Sequence, residues 1–278
     1  MSKRKQNSED RDDDGSDVSL VDVDFDFFDP NPEIDYIALK RLAVQLFQGD
    51  AEALQVHDLT DLILSQPAVG TTIKCDGKES DPYSFLTVLN LHVHQARPFM
   101  KALVEYVLLK SSPDPAFHNV LHNLLGPAGL HSQNHLGFIF SERLINMPVQ
   151  TVPPMYRMLG EEVTWALEEN QPYKFSHLLF ISRIYRLTAE EAAELEEMTP
   201  RSKRHKGSDN LTGGVHPFHP EDDVIAKFAT HTIDYSFTTA QPREKDSFGL
   251  DLGGRMMLVP ADRFAQLVTA LNEAFPPP

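Results

Sequence analysis

Histidine pairs are the residues of this chain whose spacing could hold a metal ion. Three pairs have suitable spacing, namely His118 with His122, His131 with His135, and His92 with His94. The first two stand one helical turn apart, and the third would share one face of a strand. Zinc in proteins usually takes four ligands, or three and a water molecule. Neither a cysteine nor a zinc-protease motif accompanies the pairs, so we expect ordinary histidines and no metal site.

Nucleophilic catalysis would need an activated serine, cysteine or threonine. Cys75 is the single cysteine, and it lies beside an Asp-Gly turn with no assignable base. It can form neither an internal disulfide nor a Cys-Cys metal cluster, which fits a reducing compartment. The sequence also lacks a serine elbow, a P-loop and a dinucleotide-binding turn, and we interpret Gly213-Gly214 and Gly253-Gly254 as loop or turn glycines. We therefore expect a protein that is not an enzyme and holds no cofactor.

The charge balance limits the class of partner. Forty-one acidic residues stand against 25 basic ones, for a formal net charge of −16. The summed field repels phosphate backbones and attracts cationic surfaces, so we expect a basic protein as partner and no direct nucleic acid ligand. Met1–Lys5 lacks the apolar segment of a secretory signal, and no later run approaches the roughly 18 apolar residues of a spanning helix. We expect a soluble protein that does not enter membranes.

An acidic strand near the amino terminus is the first candidate binding surface. Apolar residues from 21 to 27 alternate with aspartates, which is the period-two pattern of a strand with one apolar and one carboxylate face. The candidate partner-binding residues are Asp22, Asp24, Asp26 and Asp29. Two interpretations remain open. The carboxylates could form the wet face of an edge strand, which charges protect from aggregation, or they could receive lysines and arginines of a partner.

Two basic clusters match the extended Lys/Arg segments that nuclear import receptors recognise. They comprise Lys3, Arg4 and Lys5 in the first run, and Arg201, Lys203, Arg204 and Lys206 in the second. A solvated run of charges is the alternative interpretation.

The order of predicted elements sets the fold class. Strands are predicted at 21–27, 69–74, 83–93, 136–140, 175–185, 231–238 and 255–259. Helices are predicted from Asn31-Pro32 onward and at 58–65, 98–110, 114–125, 154–169, 188–197, 222–229 and 261–275. Such interleaving predicts an α/β (α+β) fold with a single mixed sheet flanked by helices. Residues 1–17 are predicted to form a disordered tail, and 18–275 a single domain with a mobile basic loop at 198–216.

Several stretches resemble the BCCIP family of eukaryotic nuclear proteins, and within it the fungal Bcp branch. They are Val21–Phe25, Asp61–Gln66, Val69–Lys74, Leu86–Leu91, Ser141–Pro148, Pro153–Tyr156 and Leu178–Ser182. The Ser141–Pro148 stretch, Ser-Glu-Arg-Leu-Ile-Asn-Met-Pro, is the most specific of them.

The resemblance implies a chaperone or adaptor in nuclear transport and ribosome assembly. Fungal members escort a basic large-subunit ribosomal protein and support nuclear export of a phosphoinositide kinase. This implies contact with nuclear transport factors, shuttling between nucleus and cytoplasm, and at least one working import signal. Animal relatives are tied to cell-cycle inhibition and recombination repair, so a scaffold in those processes is an alternative.

The family also implies a fold resembling that of the GCN5-related acetyltransferases. Those enzymes grip the pyrophosphate of acetyl-CoA with backbone N–H groups of a Gly-rich turn between a central strand and the next helix. We place the equivalent junction at Val93–Phe99, which has no glycine and loses one donor at Pro98. We expect the fold without its cofactor loop, and a diverged acetyltransferase-like enzyme is the alternative.

Overall fold

The structure is a computed structural model that describes residues 24–66, 68–198, 214–238 and 250–276, without the side chains of 194–198. The strands are β1 (Asp26–Phe28), β2 (Thr71–Lys74), β3 (Ser84–Asn90), β4 (His135–Arg143), β5 (Phe175–Leu187), β6 (Gly214–Pro217), β7 (His231–Ser236) and β8 (Asp251–Pro260). The helices are α1 (Tyr36–Phe47), α2 (Val56–Leu64), α3 (Pro98–Ser111), α4 (Pro115–Leu125), α5 (Val152–Glu168), α6 (Ala189–Met198), α7 (Glu221–Phe228) and α8 (Phe264–Ala274).

One eight-stranded sheet joins all the described strands. Its order is β1-β2-β3-β4-β5-β8-β7, and β6 pairs with β5 off this path. The pair β4–β5 is parallel, and the other described pairs are antiparallel. A parallel pair needs a crossover connection, which α5 supplies. The structure thus confirms a mixed sheet flanked by helices.

The sheet is covered on both faces because its central strands are apolar on both faces. In β3 the side chains of Phe85 and Leu89 enter the core formed with α1 to α4. Leu86 and Val88 point the other way, into the core formed with α5, α7 and α8. Strand alternation thus divides one apolar run between two hydrophobic cores.

The first helix begins later than Asn31-Pro32, where the sequence places its start. These two residues enter a turn, and α1 begins at Tyr36. The Asp35 carboxylate explains the difference. It accepts a 2.8 Å hydrogen bond from the N–H of Asn31 and a 2.6 Å bond from the buried Lys74 ammonium. This ion pair fixes the segment before α1 against β2.

Two further predictions need correction. The predicted loop at 198–216 falls mostly outside the described residues, but Gly214–Pro217 form β6, which pairs with the end of β5. Gly253 and Gly254 are strand residues of β8 rather than turn glycines. At Gly254 the buried ring of Tyr235 opposite it occupies the space that a β-carbon would need, and at Gly253 a β-carbon would meet the carbonyl oxygen of Tyr235.

Of the described helices, none is both long enough and apolar enough to cross a membrane.

Candidate functional site between two diverging parallel strands

The parallel strands β4 and β5 separate halfway along their length. Their pairing ends at Ile139 and Phe180. Beyond that point β4 continues beside β3 to Arg143, and β5 continues beside β8. In α/β sheets ligands bind outside the carboxyl ends of parallel strands, so this divergence is a candidate position for a binding site.

Protein fills the opening. Strand β6 takes the place of β4 as the neighbour of β5, with Ile184 opposite Pro217 and Leu187 opposite Gly214. The chain then enters α7, whose first residues are buried acids. Six buried ionisable side chains meet here, and we call them the charge network: Glu142, Arg143, Arg183, His219, Glu221 and Asp222.

The Glu142 carboxylate is the centre of the charge network. One oxygen lies 2.6 Å from His219 Nε2 and accepts a 2.9 Å bond from the Gln45 amide of α1. The other accepts a 3.1 Å bond from Arg183 Nε. The backbone N–H of Arg143 donates to the same carboxylate at 3.1 Å. One side chain thus links β4, β5, α1 and the segment before α7.

The second ion pair of the charge network ties the end of β4 to α7. Arg143 donates two 2.9 Å bonds to the Glu221 carboxylate and a third, of 3.0 Å, to the carbonyl oxygen of Met147. The Arg183 guanidinium lies 4.5 Å from the centre of the Phe218 ring. Paired, bidentate guanidinium groups satisfy buried charges that would otherwise be very costly.

The ionisation of the charge network follows from these contacts. Burial opposes the charged forms of Glu142 and His219, but their mutual hydrogen bond and opposite charges outweigh it. The pKa of Glu142 is therefore lowered and that of His219 is raised. Burial and the neighbouring Glu221 raise the pKa of Asp222 to about 7. With His219 protonated and Asp222 ionised, three cations face three carboxylates and the network is neutral.

A few polar atoms at the network have no hydrogen-bond partner among the described residues. They are Asp222 Oδ2, His219 Nδ1 and Ser182 Oγ, together with the hydroxyl of Tyr156 beneath them. The described part of the chain contains no group of three or more His, Cys, Asp or Glu side chains arranged to hold a metal ion. Chemically, the arrangement is a structural clamp that joins strands and helices.

The predicted resemblance to the acetyltransferase fold is not confirmed, and Val93–Phe99 lies away from the parallel pair β4–β5. Val93–Phe99 follows β3, whose two neighbours are both antiparallel, so it does not lead into the parallel crossover. The crossover begins with residues 144–151 and then α5. This segment also lacks glycine, and Pro153 and Pro154 remove two N–H donors from the first turn of α5. The first turn of α5 therefore offers fewer backbone N–H donors to an anion than a turn without proline would.

Three histidines of the candidate metal pairs take part in other contacts. The rings of His92 and His135 stack at 4.8 Å, and His92 Nδ1 accepts a 3.2 Å bond from the N–H of Leu136. Burial lowers the pKa of His92. His118 Nδ1 lies 3.0 Å from the carbonyl oxygen of Leu108. His92 and His118 thus connect neighbouring backbone segments.

The acidic strand lies far across the sheet from the charge network. Asp24, Asp26 and Asp29 are exposed, and β1 is an edge strand with β2 as its neighbour. Asp22 lies outside the described residues, as do the import candidates of both basic clusters. That these aspartates contact a partner stays a prediction.

Sequence reasoning missed the charge network, although one signal was available. Glu142 and Arg143 follow the apolar run that ends at Phe140 after a single serine, and Arg183 follows the apolar run of β5 in the same way. Charged residues inside strands that are otherwise buried on both faces must find partners. That pattern marks charges that pair in the core.

Comparison with known proteins gives a consistent result. The family model described as BCCIP matches residues 20–225. Protein bcp1 of Aspergillus fumigatus is 40% identical over 276 residues, covering 96% of this chain and 92% of the relative. Protein bcp1 of Schizosaccharomyces pombe is 39% identical over 265 residues, covering 93% of this chain and 92% of the relative. The crystal structure of BCP1 from Saccharomyces cerevisiae matches with a TM-score of 0.62 and 27% identity, covering 95% of this chain and 93% of that one. The chain belongs to the BCCIP family.

Proposed function

We propose that this chain is a non-enzymatic acidic chaperone that binds a basic large-subunit ribosomal protein and supports its nuclear transport and assembly into ribosomes. Family membership supports the general role, through the resemblance described above. The physical support comes from where the protein places its charge.

The observation that carries the proposal is the acidic surface. Residues outside the described ranges contain equal numbers of acidic and basic side chains, so the formal charge of −16 belongs to the described residues. Within the core, the charge network balances its own carboxylates. Most of the excess negative charge therefore lies on exposed side chains, where it attracts a cationic protein and repels nucleic acid.

The proposed mechanism is competitive masking. Carboxylates of the chaperone neutralise the RNA-binding face of the client, which otherwise binds polyanions indiscriminately. Ribosomal RNA carries a denser negative charge and displaces the chaperone at the site of assembly. No reactive side chain is needed for this cycle.

The filled opening between β4 and β5 supports a non-enzymatic role. Strand β6 and the start of α7 occupy the space where an open cleft would be, and Pro153 and Pro154 remove donors beside it. A calorimetric titration with acetyl-CoA tests this part separately, since micromolar binding would favour the acetyltransferase alternative.

The cellular role is part of the same proposal. We infer shuttling between nucleus and cytoplasm, with import through one of the two basic clusters and support for export of a phosphoinositide kinase. A cell-cycle or DNA-repair scaffold, as in the animal relatives, would instead bind partners from those processes. Copurification from nuclear extract followed by mass spectrometry distinguishes these partners.

The direct test is binding to proteins extracted from purified large ribosomal subunits, followed by calorimetry on the retained protein. We expect one basic protein to bind stoichiometrically. Its affinity should fall roughly tenfold or more between about 0.1 M and about 0.5 M NaCl, because salt screens exposed charges. Affinity that does not change with salt, or retention of no basic protein, would contradict the proposal.

A further inference from the structure

An apolar groove between α5 and α8 lies away from the charge network. It has a volume of about 760 Å³ and is floored by Val88, Ile139 and Leu178 of the sheet. Val163 of α5 and Phe264 of α8 form part of its walls. Val88 belongs to β3, and Ile139 and Leu178 lie in the stretch where β4 and β5 still pair, whereas the charge network lies beyond the end of that pairing.

The groove exposes side chains that folding normally buries. Trp165 and Leu167 both line the groove, and they are 61% and 41% exposed. Both belong to α5, which also packs in the core through Met155 and Tyr156. Contiguous exposed apolar surface with a polar rim is typical of sites that bind another molecule.

The charges around the groove favour a cationic occupant. The groove lining has two exposed carboxylates, Glu161 and Asp262, and two exposed cations, Arg157 and Lys174. The exposed Glu168 and Glu169 at the carboxyl end of α5 add two further carboxylates beside it. Arg157 lies 4.0 Å from Glu161, so part of its charge is already paired. The last turn of α5 contains no basic residue, although the carbonyl end of a helix dipole favours cations. Glu168 and Glu169 thus add negative charge at this end of the groove.

We propose that the α5–α8 groove binds an amphipathic segment of the basic client. Apolar side chains of that segment fill the groove against Trp165 and Leu167, and its lysines and arginines meet Glu161, Glu168 and Glu169. This inference rests on the proposed function and adds to it a specific surface and a kind of peptide. Electrostatic attraction by the acidic surface brings the client close, and the groove then fixes its position.

The single tryptophan gives a direct readout in the full-length chain. The probe is a synthetic Leu/Lys peptide of about 18 residues, roughly five turns of an amphipathic helix. We expect a saturable shift of Trp165 emission to shorter wavelength, because the peptide removes the indole from water. A Leu/Glu peptide with the same apolar face should bind at least tenfold more weakly, and so should a scrambled Leu/Lys peptide. Equal binding of all three peptides would overturn the inference.

A pair of matched variants tests the position of the site. Leu167→Asp places a carboxylate on the groove wall and should weaken the Leu/Lys peptide by tenfold or more. Leu109→Asp makes the same change at a leucine of α3 that is 63% exposed, on the other face of the sheet, and should leave binding unchanged. Equal effects of the two changes would place the peptide elsewhere.

The same variants separate this inference from the proposed function. If the wild-type chain retains a basic large-subunit protein and Leu167→Asp retains it equally well, the groove inference fails and the proposed function stands. If no basic protein is retained, the proposed function fails. A concentration-dependent shift of Trp165 emission without peptide, together with dimers in sedimentation, would make a second copy the occupant and overturn the inference.

Discussion

At the residue scale, the charge network shows how a strongly acidic protein buries six ionisable groups. Glu142 is fully enclosed, yet it contacts His219, Arg183 and Gln45 within hydrogen-bond distance. Removing one partner from such a set leaves a buried charge uncompensated. This lowers the free energy of unfolding by more than the intact pair contributes to it. We therefore regard the network as a device that fixes β6 and α7 in the opening between the strands.

Asp222 is the member whose charge should change near neutral pH. Its pKa is raised from an ordinary value of 3.8 to about 7 in the folded protein, by burial and by Glu221. The folded state thus holds this proton more tightly than the unfolded state. Stability from this group is present below about pH 4 and is lost as pH rises toward about 7. The raised pKa of His219 acts in the same direction, since its stabilisation is lost as pH rises through the folded value.

Asp222→Asn should remove the loss of folding stability that accompanies ionisation of Asp222 as pH rises. We expect the stability of the variant relative to the wild type to rise by on the order of 3 kcal/mol between about pH 4 and about pH 7, then to level off. Urea unfolding at a series of pH values measures this difference. Asp223→Asn changes an exposed neighbour on the same helix and serves as the control. A difference for Asp222→Asn that is flat with pH would show that this group ionises normally.

At the element scale, two glycines differ in the space that their neighbours leave for a β-carbon. Gly160 lies inside α5, where an added β-carbon would meet Phe264 at an ordinary distance of 3.5 Å. Gly254 lies in β8 beneath the buried Tyr235 ring, which leaves no room for one. We expect Gly160→Ala to stabilise the fold by about 0.5–1 kcal/mol, because glycine is a poor helix former.

The same chemical change at Gly254 should destabilise the fold by roughly 1–3 kcal/mol, because the ring must move within a packed core. Thermal unfolding of the two single variants, side by side, measures both effects. The glycine positions would need another explanation if both variants shifted the unfolding temperature in the same direction.

The elements themselves could largely be predicted from the sequence. Strands β3 and β5 stand out because they are apolar on both faces, and α5 because it carries a long helical stripe. Strand β6 could not be found, since its four residues follow a basic, Gly-rich run and end in Pro217. Its position depends on the divergence of β4 from β5, a tertiary feature without a local pattern.

The charge network escapes sequence reasoning for a related reason. Glu142 lies 41 residues from Arg183 and 77 from His219. No short sequence motif spans such separations along the chain, and only the topology of the sheet brings these residues together. The groove is similar, because α5 and α8 are separated by most of the carboxyl-terminal half of the chain.

At the scale of the whole molecule, the fold separates two classes of charge. Buried ions are paired at short distances, as in Arg143–Glu221 and Lys74–Asp35. The remaining carboxylates lie on a surface with far fewer cations, and they repel one another. Self-repulsion opposes the compact state that the buried pairs support.

Salt should therefore stabilise this protein on its own. Raising NaCl from about 0.02 M to about 0.3 M shortens the screening length below the spacing of most surface charges, but hardly affects buried pairs. We expect the unfolding temperature to rise by a few degrees, which calorimetry in buffers of constant pH measures. The double change Glu168→Gln and Glu169→Gln removes two carboxylates at the carboxyl end of α5. It should raise the unfolding temperature at low salt and reduce the increase that added salt produces. An unfolding temperature that falls with salt would mean that attractive surface pairs dominate, and the same acidic surface could then not serve as the attractor for a basic client.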